Sequence, residues 1–68
     1  MRDAQRPKQL HTFRAFRVSP GGNVSAVAID LDAQDDAEAI AQARKLVDGV
    51  GIELWDRARL VIALPTEE

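Results

Sequence analysis

Residues 24–48 read VSAVAIDLDAQDDAEAIAQARKLVD, and the hydrophobic spacing changes period within them. From Val24 to Leu31 the pattern alternates: Val27, Ile29 and Leu31 share one face, Ala26, Ala28 and Asp30 the other. A period of two is that of a strand, and the larger side chains mark the face turned to a core. From Asp36 the spacing becomes helical, with Ala37, Ile40, Ala43, Leu46 and Val47 in one stripe. Asp35 is placed to accept from first-turn amides, and Glu38 to reach back, as in a capping box. Acidic residues at this end also suit the helix dipole. The spacing predicts a helix from Asp36 to Asp48, closed by Gly49 in the left-handed conformation.

Working outward, Leu10 to Val18 (LHTFRAFRV) reads as a strand. It places Phe13 and Ala15 on one face and Phe16 and Val18 on the other, so the pattern leaves open which phenylalanine enters the core. Ser19-Pro20-Gly21-Gly22-Asn23 then joins it to the next strand as a hairpin loop, because proline presets φ and glycine accepts positive φ. Beyond the helix, Ile52–Trp55 and Arg59–Leu64 form a second hairpin. In a regular ladder a three-residue loop, Asp56-Arg57-Ala58, puts Ile52, Leu54, Leu60, Ile62 and Leu64 on the core face. Glu53, Trp55, Arg59, Val61 and Ala63 then lie outside, whereas a two-residue loop mixes the faces. Pro65 stops the last strand.

Two hairpins around one helix give an α+β fold, a two-layer sandwich in ββαββ order. Its four-stranded, mainly antiparallel sheet carries the helix on one face. The strand order 2-1-3-4 is preferred to 2-1-4-3, which pairs the first and last strands in parallel. The domain spans residues 10–65. A flexible basic arm, residues 1–9, precedes it and a short tail, residues 66–68, follows.

From Phe13 to Leu64 the chain resembles a set of short, uncharacterised bacterial proteins of the same layout. The likeness rests on the first hairpin, the helix opening Asp35-Asp36-Ala37-Glu38-Ala39-Ile40, a glycine ahead of the closing block, and that block itself, Ile52-Glu53-Leu54-Trp55 with Arg59-Leu60-Val61. It implies a bacterial protein with this layout and brings no activity, cofactor or catalytic residue. Those proteins often carry a glycine in the closing turn, where this chain has Arg57-Ala58.

Length and composition narrow the function classes. Sixty-eight residues make one domain. With no cysteine and one histidine, disulfides, thiolate metal sites and multi-histidine sites are excluded. No apolar run approaches the roughly 20 residues of a membrane span. The opening MRDAQRPKQL lacks the apolar stretch of a secretory signal, so a cytoplasmic protein is expected.

Residues that carry chemistry elsewhere lack their companions here. Asp30-Leu31-Asp32 ends a strand as aspartyl phosphotransferase nucleophiles do, but so short a chain has no second layer to close such a site. Asp30, Asp32, Asp35, Asp36 and Glu38 fail the calcium-loop pattern at its glycine and its final glutamate. His11 with Ser19 or Ser25 makes no triad. Pro20-Gly21-Gly22-Asn23 lacks the Lys-Ser/Thr of a phosphate loop. No catalytic residue, metal or cofactor is therefore expected.

Two surfaces remain. The sheet face away from the helix carries Trp55, Arg59, Val61, Ala63, Ala26, Ala28 and one phenylalanine, with Trp55 and Arg59 expected to pair as cation and ring. So apolar a face points to a homodimer or another protein partner. The alternative is nucleic-acid binding through Arg2, Arg6, Lys8, Arg14 and Arg17, which give residues 1–17 a net charge of +4. Residues 18–68 carry −6, which repels a polyanion.

Overall fold

Two hairpins form around one helix in the expected order. The computed structural model describes residues 10–66. The expected arm, with Arg2, Arg6 and Lys8, and the tail residues Glu67 and Glu68 lie outside the described residues. The elements are β1 (His11–Val18), β2 (Val24–Ala33), α1 (Asp36–Arg44), β3 (Gly51–Asp56) and β4 (Arg59–Leu64). They form one sheet in the order β2-β1-β3-β4. Every neighbouring pair is antiparallel.

In the first turn Gly22 takes φ 92°. Its N–H donates to the Ser19 carbonyl (2.8 Å), and the Ser19 N–H donates to the Asn23 carbonyl (2.8 Å). At the helix start Asp35 Oδ1 accepts from the Glu38 N–H (2.8 Å). Glu38 Oε1 accepts from the Gln34 N–H (2.6 Å), one residue before the position a capping box uses.

α1 covers one sheet face with Ala39 and Ala43, both fully buried. Their small side chains let the helix approach closely over Phe13, Ala15, Ile52 and Leu54, also fully buried. Phe13 is thus the core phenylalanine. Phe16 is half-buried on the opposite face. Ala37, expected in the buried stripe, is exposed; Ala39 takes that role.

The helix also ends sooner than the spacing predicts. Its last residue is Arg44, with Lys45 as C-cap. The chain then tightens through i→i+3 hydrogen bonds, the Leu46 N–H to the Ala43 carbonyl (2.9 Å) and the Val47 N–H to the Arg44 carbonyl (3.3 Å). This brings Leu46 and Val47 against the core from the connection. Gly49 has φ 77°, but in the loop rather than at the cap. Gly51 opens β3, where a Cβ would stand 2.8 Å from the Leu64 carbonyl oxygen, so β4's close approach requires glycine.

Two irregularities correct the expected faces. Between the pairs Phe16↔Ala28 and Val18↔Val24, β2 spends more residues than β1. Ser25 Oγ accepts from the Val27 N–H there (3.1 Å), and Val27, expected in the core, is 69% exposed. In the second hairpin the loop is two residues, Arg57-Ala58, with Asp56 opposite Arg59 and Trp55 opposite Leu60. The next pair is Leu54↔Ile62, so Val61 is an extra residue, a bulge. That bulge restores Ile62 and Leu64 to the core face after a turn that a regular ladder would not tolerate. Leu60 consequently moves to the outer face and Arg59 to the helix side.

Candidate functional site

The sheet face opposite α1 is built by register. One row across the strands holds Asp30, Arg14, Trp55 and Leu60; the next holds Ala28, Phe16, Glu53 and Ala63. At its centre Arg14, Trp55, Glu53 and Phe16 form a rectangle two strands wide and two rows high. Trp55 and Phe16, on one diagonal, are both half-buried. The Trp55 Nε1–H donates to Glu53 Oε1 (3.2 Å), which lays the indole along β3. A groove of about 340 Å³ crosses this face, bounded by Arg14, Phe16, Val24, Glu53, Trp55 and Arg57.

Of the residues expected here, Trp55, Ala28 and Ala63 occupy the face. Ala26 is exposed within the irregular part of β2. Val61, the bulge residue, is half-buried and packs against the core. Arg59 belongs to the other side. Its guanidinium grips Asp36 at the start of α1, Nη1 to Oδ2 at 3.1 Å and Nη2 to Oδ1 at 3.0 Å. It also reaches Asp56 Oδ2 at 2.9 Å. The expected Trp55–Arg59 cation–ring pair is therefore replaced by Trp55 beside Leu60. Leu60 and Arg57 escape the sequence reading, since only the two-residue turn and the bulge bring them to this surface.

Electrostatics support the Arg59 clasp. Its hydrogen bonds hold the Asp36 carboxyl below the ordinary value of 3.8, helped by its charge and by that of His11. Hydrogen bonding to Asp36 and then Asp56 raises Arg59 in turn. His11 Nε2 stands 3.6 Å from Asp56 Oδ2, and its ring lies 4.4 Å from that of Phe13.

The two described basic residues of the first strand do not converge. Arg14 is on the outer face, opposite Asp30 and Trp55, while Arg17 pairs with Ile52 on the helix side. Arg14 also borders a polar hollow of about 640 Å³ at the sheet end, with His11, Thr12, Asp30 and Arg57.

Four of the five acidic residues singled out in the sequence serve local structure. Asp32 Oδ1 accepts from Thr12 Oγ1–H (2.8 Å), Asp35 and Glu38 cap the helix, and Asp36 holds Arg59. Ser19 Oγ accepts from the Asn23 N–H in its own turn (3.1 Å), at the far end of β1 from His11. Among the described residues, no group of three His, Asp or Glu is placed to hold a metal ion. Nor is any helix among them long and apolar enough to cross a membrane.

No family model matches the chain, and no curated protein or solved structure matches it.

Proposed function

We propose that the protein is a small, non-enzymatic dimerisation module of the cytoplasm, pairing with a second copy of itself through the sheet face opposite α1. The observation that carries this reading is the position of Trp55, half-buried beside Leu60 and diagonal to Phe16 on a face that no helix among the described residues covers. Large apolar side chains grouped on one surface mark contacts. The thin core adds support. Half of its eight buried residues are alanines, and small domains without disulfides or metals commonly gain stability by association.

Nucleic-acid binding through the first strand has weaker support, because Arg14 and Arg17 point to opposite faces of the sheet.

Sedimentation velocity across a concentration series tests the proposal. The wild-type chain should sediment as a dimer at high concentration. Trp55→Glu should be a folded monomer by sedimentation and circular dichroism, since an unpaired carboxylate at the centre of an apolar contact is costly. If Trp55→Glu unfolds, Leu60→Ser provides the milder perturbation of the same patch. A wild-type monomer at every concentration overturns the proposal, as does unchanged dimerisation in folded variants.

A further inference from the structure

The central rectangle of the outer face also constrains how two copies meet. Resting on the dimer reading, we propose that the copies pack as an orthogonal sandwich about a two-fold axis along the Trp55–Phe16 diagonal, with Arg14 of each copy paired to Glu53 of the other.

Register and charge together select the packing. Arg14 faces Trp55 across β1 and β3, and Phe16 faces Glu53 one row on. Neighbouring strands stand about 4.8 Å apart and alternate residues about 6.8 Å apart. These four side chains therefore form a compact rectangle with its charges at opposite corners. A symmetric pair uses the same patch twice, so its axis must lie in the plane between the sheets. Seen through the interface, such an axis reflects the rectangle onto its copy.

Four orientations bring corner to corner: the two midlines in full, and the two diagonals of this unequal rectangle to within about 3 Å, which side chains can span. With the axis along the strands, Arg14 covers Trp55 and Glu53 covers Phe16, leaving both carboxylates on aromatic rings without a counter-charge. With the axis across the strands, Arg14 covers Phe16 and Glu53 covers Trp55, which again strands both carboxylates. The Arg14–Glu53 diagonal places Arg14 on Arg14 and Glu53 on Glu53, which is repulsive. The Trp55–Phe16 diagonal alone places each Arg14 on a Glu53 while the aromatic side chains meet their own copies at the axis. It reflects the strands to a steep crossing, the orthogonal class of sheet packing. Glu53 already accepts from Trp55 Nε1 through Oε1 (3.2 Å), so its carboxylate is oriented before association and has a second oxygen for the guanidinium.

Reciprocal pairing has a distinctive test. Arg14→Glu places two like-charged pairs in its homodimer, and so does Glu53→Arg. Mixed one to one, the two variants form a heterodimer in which both contacts are complementary. One contact joins the two reversed side chains, which carry opposite charges, and the other is the native pair of Arg14 with Glu53. The expected result by sedimentation is dimerisation weakened at least roughly tenfold in each variant alone. In the mixture the dimer returns, with both chains in one species by native mass spectrometry. Circular dichroism checks the folding of each variant, and Arg14→Gln with Glu53→Gln gives a neutral pair should either charge reversal unfold. With that pair, weakening of each single variant and partial restoration on mixing, through the one native Arg14–Glu53 contact of the heterodimer, is the supporting result. Wild-type-like dimerisation of both folded variants overturns the packing. So does a failure of the charge-reversed mixture to restore the dimer. Either result leaves the dimer itself standing, whereas a wild-type monomer removes both.

Discussion

Asp36 and Arg59 meet across 23 residues of sequence, joining the first turn of α1 to the first residue of β4. The pair is half-exposed, so its contribution is screened by solvent. Its pH dependence has a definite sign. Hydrogen bonds from Arg59 lower the Asp36 pKa in the folded state. The unfolded chain therefore binds the proton more readily. The stabilisation is fully present above the ordinary carboxylate value of about 4 and disappears as pH falls through the lowered folded value. Thermal melts between about pH 2 and 7 should show wild type losing this increment on the acid limb. Asp36→Asn should lie below wild type at neutral pH and converge with it in acid. Parallel melting curves across the whole range would contradict the assignment. Arg59 thus serves the helix side, and its role follows from one register step at the hairpin turn.

At the scale of the element, the β3–β4 hairpin carries the most informative deviation. Arg57 has φ 60°, a left-handed conformation that disfavours any residue with a Cβ. It is the first of the two central turn residues, where glycine is the ordinary solution in one of the two-residue hairpin types. Arg57→Gly should therefore stabilise the domain by about 0.5–1 kcal/mol, relief of the strained φ outweighing the extra freedom of glycine in the unfolded chain. The corresponding rise in Tm is about 2–8 °C in a domain this small. A fall in Tm would show that the turn does not hold that conformation.

The same hairpin shows where sequence reading reaches its limit. The β3 alternation places Ile52, Leu54, Glu53 and Trp55 on the faces they occupy. The β4 faces near the turn are not readable, because Val61 enters as an extra residue and parity changes there. Alternation misplaces Val27 for the same reason in β2, whose irregular stretch leaves it 69% exposed. Both errors share a cause: periodicity assumes one residue opposite one residue, and bulges break that rule without a glycine or proline to announce them. The early end of α1 is a related case. Leu46 and Val47 continue the helical spacing, but they reach the core through a tightened turn that leaves their apolar contacts intact.

At the scale of the whole molecule, the sandwich has one closed layer and one open one. The closed layer is legible in the sequence, because strand period, helix period and the Asp35 cap agree on it. The open face is legible in outline through Trp55, Ala28 and Ala63. Its true centre, Arg14, Phe16, Glu53, Trp55 and Leu60, requires the register of three strand pairs. Small folds of this kind leave little interior to share between stability and function. Among the described residues, only Phe13, Ile52, Leu54 and Leu64 are buried side chains larger than alanine. Apolar area on the far side of the sheet is the next resource, and in the proposed dimer a second copy supplies the complementary charge pattern.

Trp55 is the sole tryptophan in the chain, which makes it a direct reporter of that face. Its collisional quenching by acrylamide, followed from dilute to concentrated protein, probes coverage at the one side chain on which the proposed dimer turns. An open quencher path at low concentration that closes in step with sedimentation to the dimer is the predicted result. Quenching that stays uniformly accessible across the series, or stays constant while sedimentation passes from monomer to dimer, contradicts it.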